Sequence, residues 1–143
     1  MQATRELFER VAKVQALFPA NFPVMGECLV HGVEEIRLKD GGIFRVVAAY
    51  VPEEKAIELD PSIDRERIAL LIGRRHGIAV DPREVFVWLF YHELGHHVRR
   101  ENCLGVERRN VEFSPTPENL EEERQVEGYA RERFTEWRRS RHG

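Results

Sequence analysis

Apolar side chains recur with a helical period at Leu7, Val11, Val14 and Phe18, and Pro19 stops the run, which predicts a packing helix over residues 4 to 18. Residues 20 to 27, with a proline and a glycine, read as a connection. The pattern then shortens into β-branched and alternating runs, Cys28 to Leu38, Ile43 to Val51 and Ala56 to Leu59, cleanest at Phe44, Val46, Ala48 and Tyr50. Asp40-Gly41-Gly42 and Pro52-Glu53-Glu54-Lys55 are turn sequences between them, so the expectation is a three-stranded antiparallel meander. Asp60-Pro61-Ser62 opens a helix over about 62 to 75, with Ile63, Ala69, Leu70 and Ile72 toward the core and Gly77 past its end. Asp81, Pro82 and Glu84 make a capping-box-like entry to a helix reaching about Arg100. Its segment VFVWLFY is apolar on every side, which puts this helix in the interior. Thr116-Pro117 repeats the cap-then-proline signal and starts a last helix over about 117 to 139.

These elements describe an α+β fold in one domain spanning residues 1–143: a three-stranded antiparallel sheet packed on about four helices. Apolar residues are 42% of the chain, enough for a real core. Charged residues are 33%, but 22 basic against 25 acidic leave a net charge of only -3, which argues against a general nucleic-acid binder. The arginines between 131 and 141 alternate with glutamates and suit a helix C-terminus. Two cysteines, Cys28 and Cys103, are too few for a disulfide framework, and Cys103 on a loop reads as a small apolar filler. No stretch has the length of a membrane span, and Glu6 and Glu9 interrupt the apolar residues near the N-terminus, so a cytoplasmic protein is expected.

The interior helix carries His92-Glu93-Leu94-Gly95-His96. Histidines four apart sit about 40° from one another on a helix, so both imidazoles can reach one zinc ion, and Glu93 can address a water beside it as general base. Such a pattern arises by chance in roughly 3 to 4 of a hundred chains of this composition. Its placement strengthens it, because two imidazoles and a carboxylate in an apolar helix need something to satisfy them, a metal or, in the competing reading, hydrogen bonds to core neighbours.

A catalytic zinc normally takes three protein ligands. The positions three and six residues after His96 are Arg99 and Asn102, which excludes the metzincin pattern, and His142 is the one histidine further downstream. A carboxylate of the last helix is the better candidate. On a helical wheel Leu120, Ala130, Phe134 and Trp137 define one face, with Glu123 in its middle. Glu121 and Glu122 point toward solvent on that wheel. Glu127, one turn on from Glu123, suits a carboxylate that accepts the free ring N–H of a ligand histidine, and the reverse assignment with Glu127 as ligand stays open. Tyr129, Tyr50, His97 and His31 are conceivable oxyanion donors, and none is assigned.

With AIELDPS ending the hairpin, VFVWLFYHELGHHV, and ERQVEGYARERF downstream, residues 43 to 135 resemble the ImmA/IrrE family of small gluzincin metallopeptidases. The resemblance implies a minimal zincin-like domain, Zn2+ as cofactor, His92, His96 and Glu123 as ligands, Glu93 as general base and Glu127 beside a ligand histidine. It implies a peptide or protein substrate, which can be one regulatory protein. Val126, Gln125 and Glu127 depart from the family's usual residues, as does the helix over about 62 to 77. The competing expectation is an inert zinc-stabilised binding module, and Glu93 argues against it, since a structural site has no use for a free carboxylate there.

Overall fold

The computed structural model describes residues 2–40, 46–102 and 117–142. The elements run α1 (Gln2–Val14), α2 (Val24–His31), β1 (Glu35–Leu38), β2 (Ala48–Val51), β3 (Ala56–Leu59), α3 (Arg65–His76), α4 (Val85–Asn102) and α5 (Pro117–His142). Five helices and three strands make an α+β arrangement. The expected Gly41-Gly42 turn, Phe44, Cys103 and the Thr116 cap lie outside the described residues, as do the side chains of Leu120 and His142.

The sheet is mixed, not an antiparallel meander: its order is β1-β3-β2, with β1 parallel and β2 antiparallel to β3. The hairpin from β2 to β3 is as expected, turning through a 3-10 turn at Pro52–Glu54 and a left-handed Lys55. The first half of the expected first strand is instead α2. Val24 and Cys28, four apart, are its buried residues, and Gly32 ends it in the left-handed conformation at φ 76°, donating its N–H to the Cys28 carbonyl. Burial pushes the Cys28 thiol up to about 12, so it is a packing residue with almost no thiolate near neutrality. Native protein at pH 8 should therefore leave Cys28 unmodified by iodoacetamide, read by peptide mapping, and unfolding should expose it. Labelling of Cys28 in the native state would mean that α2 is not packed as described.

Helix α3 begins at Arg65, not at the Asp60-Pro61-Ser62 expected to open it, and Leu70, expected toward the core, is exposed. Asp64 caps α3 by accepting the Arg67 N–H, and Gly77 closes it at φ 66°. At the entry to α4 both halves of the capping box form, across a 3-10 turn at Pro82–Glu84. Val85 through Tyr91 are all buried, so α4 is the interior helix its composition demands. Rings of Phe18, Phe22, Phe90, Tyr91 and Trp137 pack around it, mostly edge to face.

Helix α5 lies antiparallel along α4 and is tied to it at both ends. At one end buried Glu84 accepts from Arg138 at 2.6 and 3.2 Å, while the Arg138 guanidinium covers the Phe134 ring at 4.4 Å. Arg131 donates to the His76 carbonyl and Arg133 pairs with Glu136 and Glu27. Much of the basic tail is thus engaged within the molecule. At the other end the helices approach at Gly95, where a Cβ would stand 3.0 Å from Val126 Cγ1 and 3.4 Å from the Val126 carbonyl. Among the described residues no helix is long and apolar enough to cross a membrane.

Candidate metal centre

The close approach at Gly95 sets the histidine pair of α4 against the acidic start of α5. His92 Nε2 lies 3.3 Å from Glu123 Oε2, and His96 Nε2 lies 3.1 Å from Glu123 Oε1. One donor atom from each of His92, His96 and Glu123 falls within 4.8 Å of the others, so this group could hold a metal ion. Three donors about 2.0–2.2 Å from one tetrahedral ion stand roughly 3.3–3.5 Å apart, close to the spacings between Glu123 and the two imidazoles. Two imidazoles and one carboxylate are also a donor set suited to zinc.

Glu93 occupies the neighbouring position. It is only 4% exposed, and its Oε1 is buried without a hydrogen-bond partner among the described residues. Burial raises its pKa above the usual carboxylate range. The charges of His92 and His96 pull it back and that of Glu123 adds to the rise. A carboxylate oxygen left unsatisfied in the interior is costly, and such groups concentrate where chemistry is done.

Glu123 titrates the other way. Burial alone would raise its pKa, but the close approach of His92 and His96 and their charge hold it well below the usual range. His92 is raised: burial would lower it, and the contact with Glu123 together with the charges of Glu93 and Glu123 outweigh that. His92 and Glu123 thus each favour the charged form of the other.

Two residues lie elsewhere than the wheel suggests. Glu127, expected against a ligand histidine, pairs with Arg75 at 2.9 Å and faces His76 Nδ1 at 3.9 Å. His76 in turn packs its ring against Trp88, 5.0 Å between centroids. Glu122, expected in solvent, is buried, with Oε2 3.3 Å from His96 Nδ1 and Oε1 accepting from Arg99 at 2.7 Å. The physical reason is the seam between the helices. At the crossing it runs through Val126, opposite Gly95, and Glu122 and Glu123 straddle that position at about 40° and 60° on either side. The legible signal was Val126 itself, an apolar residue left out of the face, together with Arg99 as a cation one turn after His96.

The third histidine of the run is structural. His97 is 1% exposed; its Nε2–H donates to the His31 carbonyl at 2.5 Å, and the Tyr50 hydroxyl lies 2.7 Å from its Nδ1. Because a carbonyl only accepts, Nε2 carries the proton, and a neutral ring takes the Tyr50 proton at Nδ1. His97 thereby joins α4 to the end of α2 and to β2; the His31 imidazole itself lies 3.7 Å from Glu27. Neither family models, curated proteins nor solved structures yield a match to this chain.

Proposed function

We propose that the protein is a zinc-dependent peptidase of gluzincin type, resembling the ImmA/IrrE family, which hydrolyses peptide bonds in a peptide or in one regulatory protein. One observation carries this reading: His92, His96 and Glu123 converge on a single point while Glu93, one residue from His92, keeps a buried carboxylate oxygen unpartnered beside them. His92 Nε2, His96 Nε2 and a Glu123 oxygen would hold the ion. Zinc bound there supplies Lewis acidity, which lowers the pKa of water to about 7 and polarises a scissile carbonyl. Glu93 takes a proton from the attacking water at Oε1 and returns it to the amine nitrogen as the C–N bond breaks. Burial raises its pKa above the ordinary carboxylate range, the direction that makes a carboxylate a better proton acceptor. A site serving only to stabilise the fold would leave Glu93 without a task, which is what favours the peptidase over the inert module.

The test is metal content and hydrolysis together. Protein purified without chelators should hold about one zinc per chain, as three ligands and one open position imply, and should cleave a peptide library only when loaded. A chain that neither retains nor takes up zinc would remove the basis of the proposal; one that binds zinc and cleaves nothing would leave the inert module.

A further inference from the structure

We propose that Glu122, clamped by Arg99, is a positioning residue that fixes the tautomer and ring plane of His96. The inference rests on the metal-binding reading above for its purpose, though not for its geometry. His96 stands between consecutive residues of α5, its Nδ1 in hydrogen-bond contact with Glu122 at 3.3 Å and its Nε2 facing Glu123 at 3.1 Å. Neighbours on a helix point about 100° apart, so two of them reach one imidazole only when the ring stands between them at the seam. Gly95 makes that possible by letting Val126 come within reach of its Cα.

The Glu122 carboxylate is itself held. Its second oxygen accepts the Arg99 guanidinium at 2.7 Å, and Arg99 Nε donates to Gln125 Oε1 at 2.9 Å. Arg99 stands one turn after His96 on α4 and Gln125 one turn after Glu122 on α5. The charge of Glu122 is thereby compensated although the residue is buried, and its Oε2 is left aimed at the histidine. An imidazole that gives its Nδ1 proton to a carboxylate must present its lone pair at Nε2, the nitrogen facing Glu123, and does so with greater basicity.

His92 is held differently. Its ion pair among the described residues is with Glu123, its side chain is 20% exposed against 6% for His96, and Glu127 is engaged by Arg75 and His76 instead. The structure therefore assigns unequal parts to the two histidines: His96 is fixed in advance, and His92 adjusts. Losing the carboxylate behind a ligand histidine costs about 10- to 100-fold in metal affinity.

The experiment compares wild type, Glu122→Ala, Glu122→Gln and, as a charge control on the exposed side of α5, Glu132→Gln. Zinc affinity is measured by competition with a chromophoric chelator, and folding by thermal unfolding. Long-range proton–nitrogen correlation spectra of the metal-free proteins, at a pH where the rings are neutral, read the tautomer. Glu122→Ala should bind zinc about 10- to 100-fold more weakly and lose the single Nδ1–H tautomer of His96. Glu122→Gln, which keeps an acceptor oxygen, should retain the tautomer and recover part of the affinity. Glu132→Gln should match wild type. Equal affinity in Glu122→Ala and wild type, or a wild-type His96 protonated at Nε2, would overturn the proposal. If wild type binds no zinc the peptidase reading fails alone, and the tautomer spectra still decide whether Glu122 orients His96.

Discussion

Glu93→Gln is expected to abolish peptide hydrolysis, leave zinc uptake intact, and make the metal-free protein more stable. Glutamine has nearly the same shape but cannot take a proton, so the loss is that of a general base, about 10²- to 10⁴-fold in rate. Zinc uptake persists because the three converging donors belong to other residues. The stability gain follows from the raised pKa of Glu93, for which burial is the leading cause. A carboxyl whose pKa is raised on folding leaves the native state holding more protons than the unfolded chain across the window between the two values. Stability therefore falls as pH rises through that window, and the cost remains in full above it. The amide carries no charge to desolvate and escapes this cost. Thermal unfolding of both metal-free proteins from pH 4 to 8 should show the variant ahead by a margin that opens with pH. Hydrolysis by Glu93→Gln at the wild-type rate would remove Glu93 from the chemistry; a margin that does not open would mean that its carboxylate is better solvated than its burial implies.

The helix boundaries at Gly77 and Asp81 were legible because each depends on a local rule, a left-handed glycine closing one helix and a side chain capping the backbone N–H groups that open the other. The interior place of α4 was legible because seven consecutive apolar residues leave it no solvent face. Strand direction was not. Whether β1 runs with or against β3 is a matter of tertiary pairing, and β-branched composition carries no information about it. Helix α2 was missed because the β-branched Val30, Val33 and Ile36 favour strands on propensity, while Gly32, the residue that closes the helix, stood inside the supposed strand.

The carboxylates around the histidines divide in the same way. Glu123 was found by its position on the apolar face of α5, a property of one helix. Glu122 and Glu127 were exchanged because their places depend on two helices: where α5 crosses α4, and which cations wait on α3 and α4. A wheel treats the buried face as one straight stripe. The seam instead passes through Val126 and lets Glu122 in, while Arg75 and His76 at the end of α3 draw Glu127 away.

Glu123→Ala is expected to lose nearly all of the zinc-dependent stability, and to lose it in a pH-dependent way that separates a metal ligand from a simple ion-pair partner. In the metal-free protein Glu123 and His92 stabilise one another. The lowered pKa of Glu123 contributes stability that is present above the ordinary carboxylate range and lost as pH falls through the folded value. The raised pKa of His92 contributes stability that is present below the ordinary imidazole value and lost as pH rises through its folded one. The pair is therefore most effective between those ranges and fades on the alkaline side. Zinc needs unprotonated imidazoles, so its binding strengthens where the proton-held pair weakens. At free zinc about 100 times the dissociation constant the native state gains about 2.7 kcal/mol. For a chain of this length that raises the melting temperature by roughly 8–12 °C. The wild-type shift at fixed zinc should grow from pH 6 to pH 8. Glu123→Ala should show a shift of less than about 2 °C at the same zinc concentration, since losing a direct ligand exceeds the 10- to 100-fold cost of losing an outer carboxylate. Glu127→Ala should keep most of the shift, because its partners are Arg75 and His76. A full zinc shift in Glu123→Ala would place the third ligand on another residue; a shift lost in Glu127→Ala and kept in Glu123→Ala would return the ligand to the position one turn further along α5.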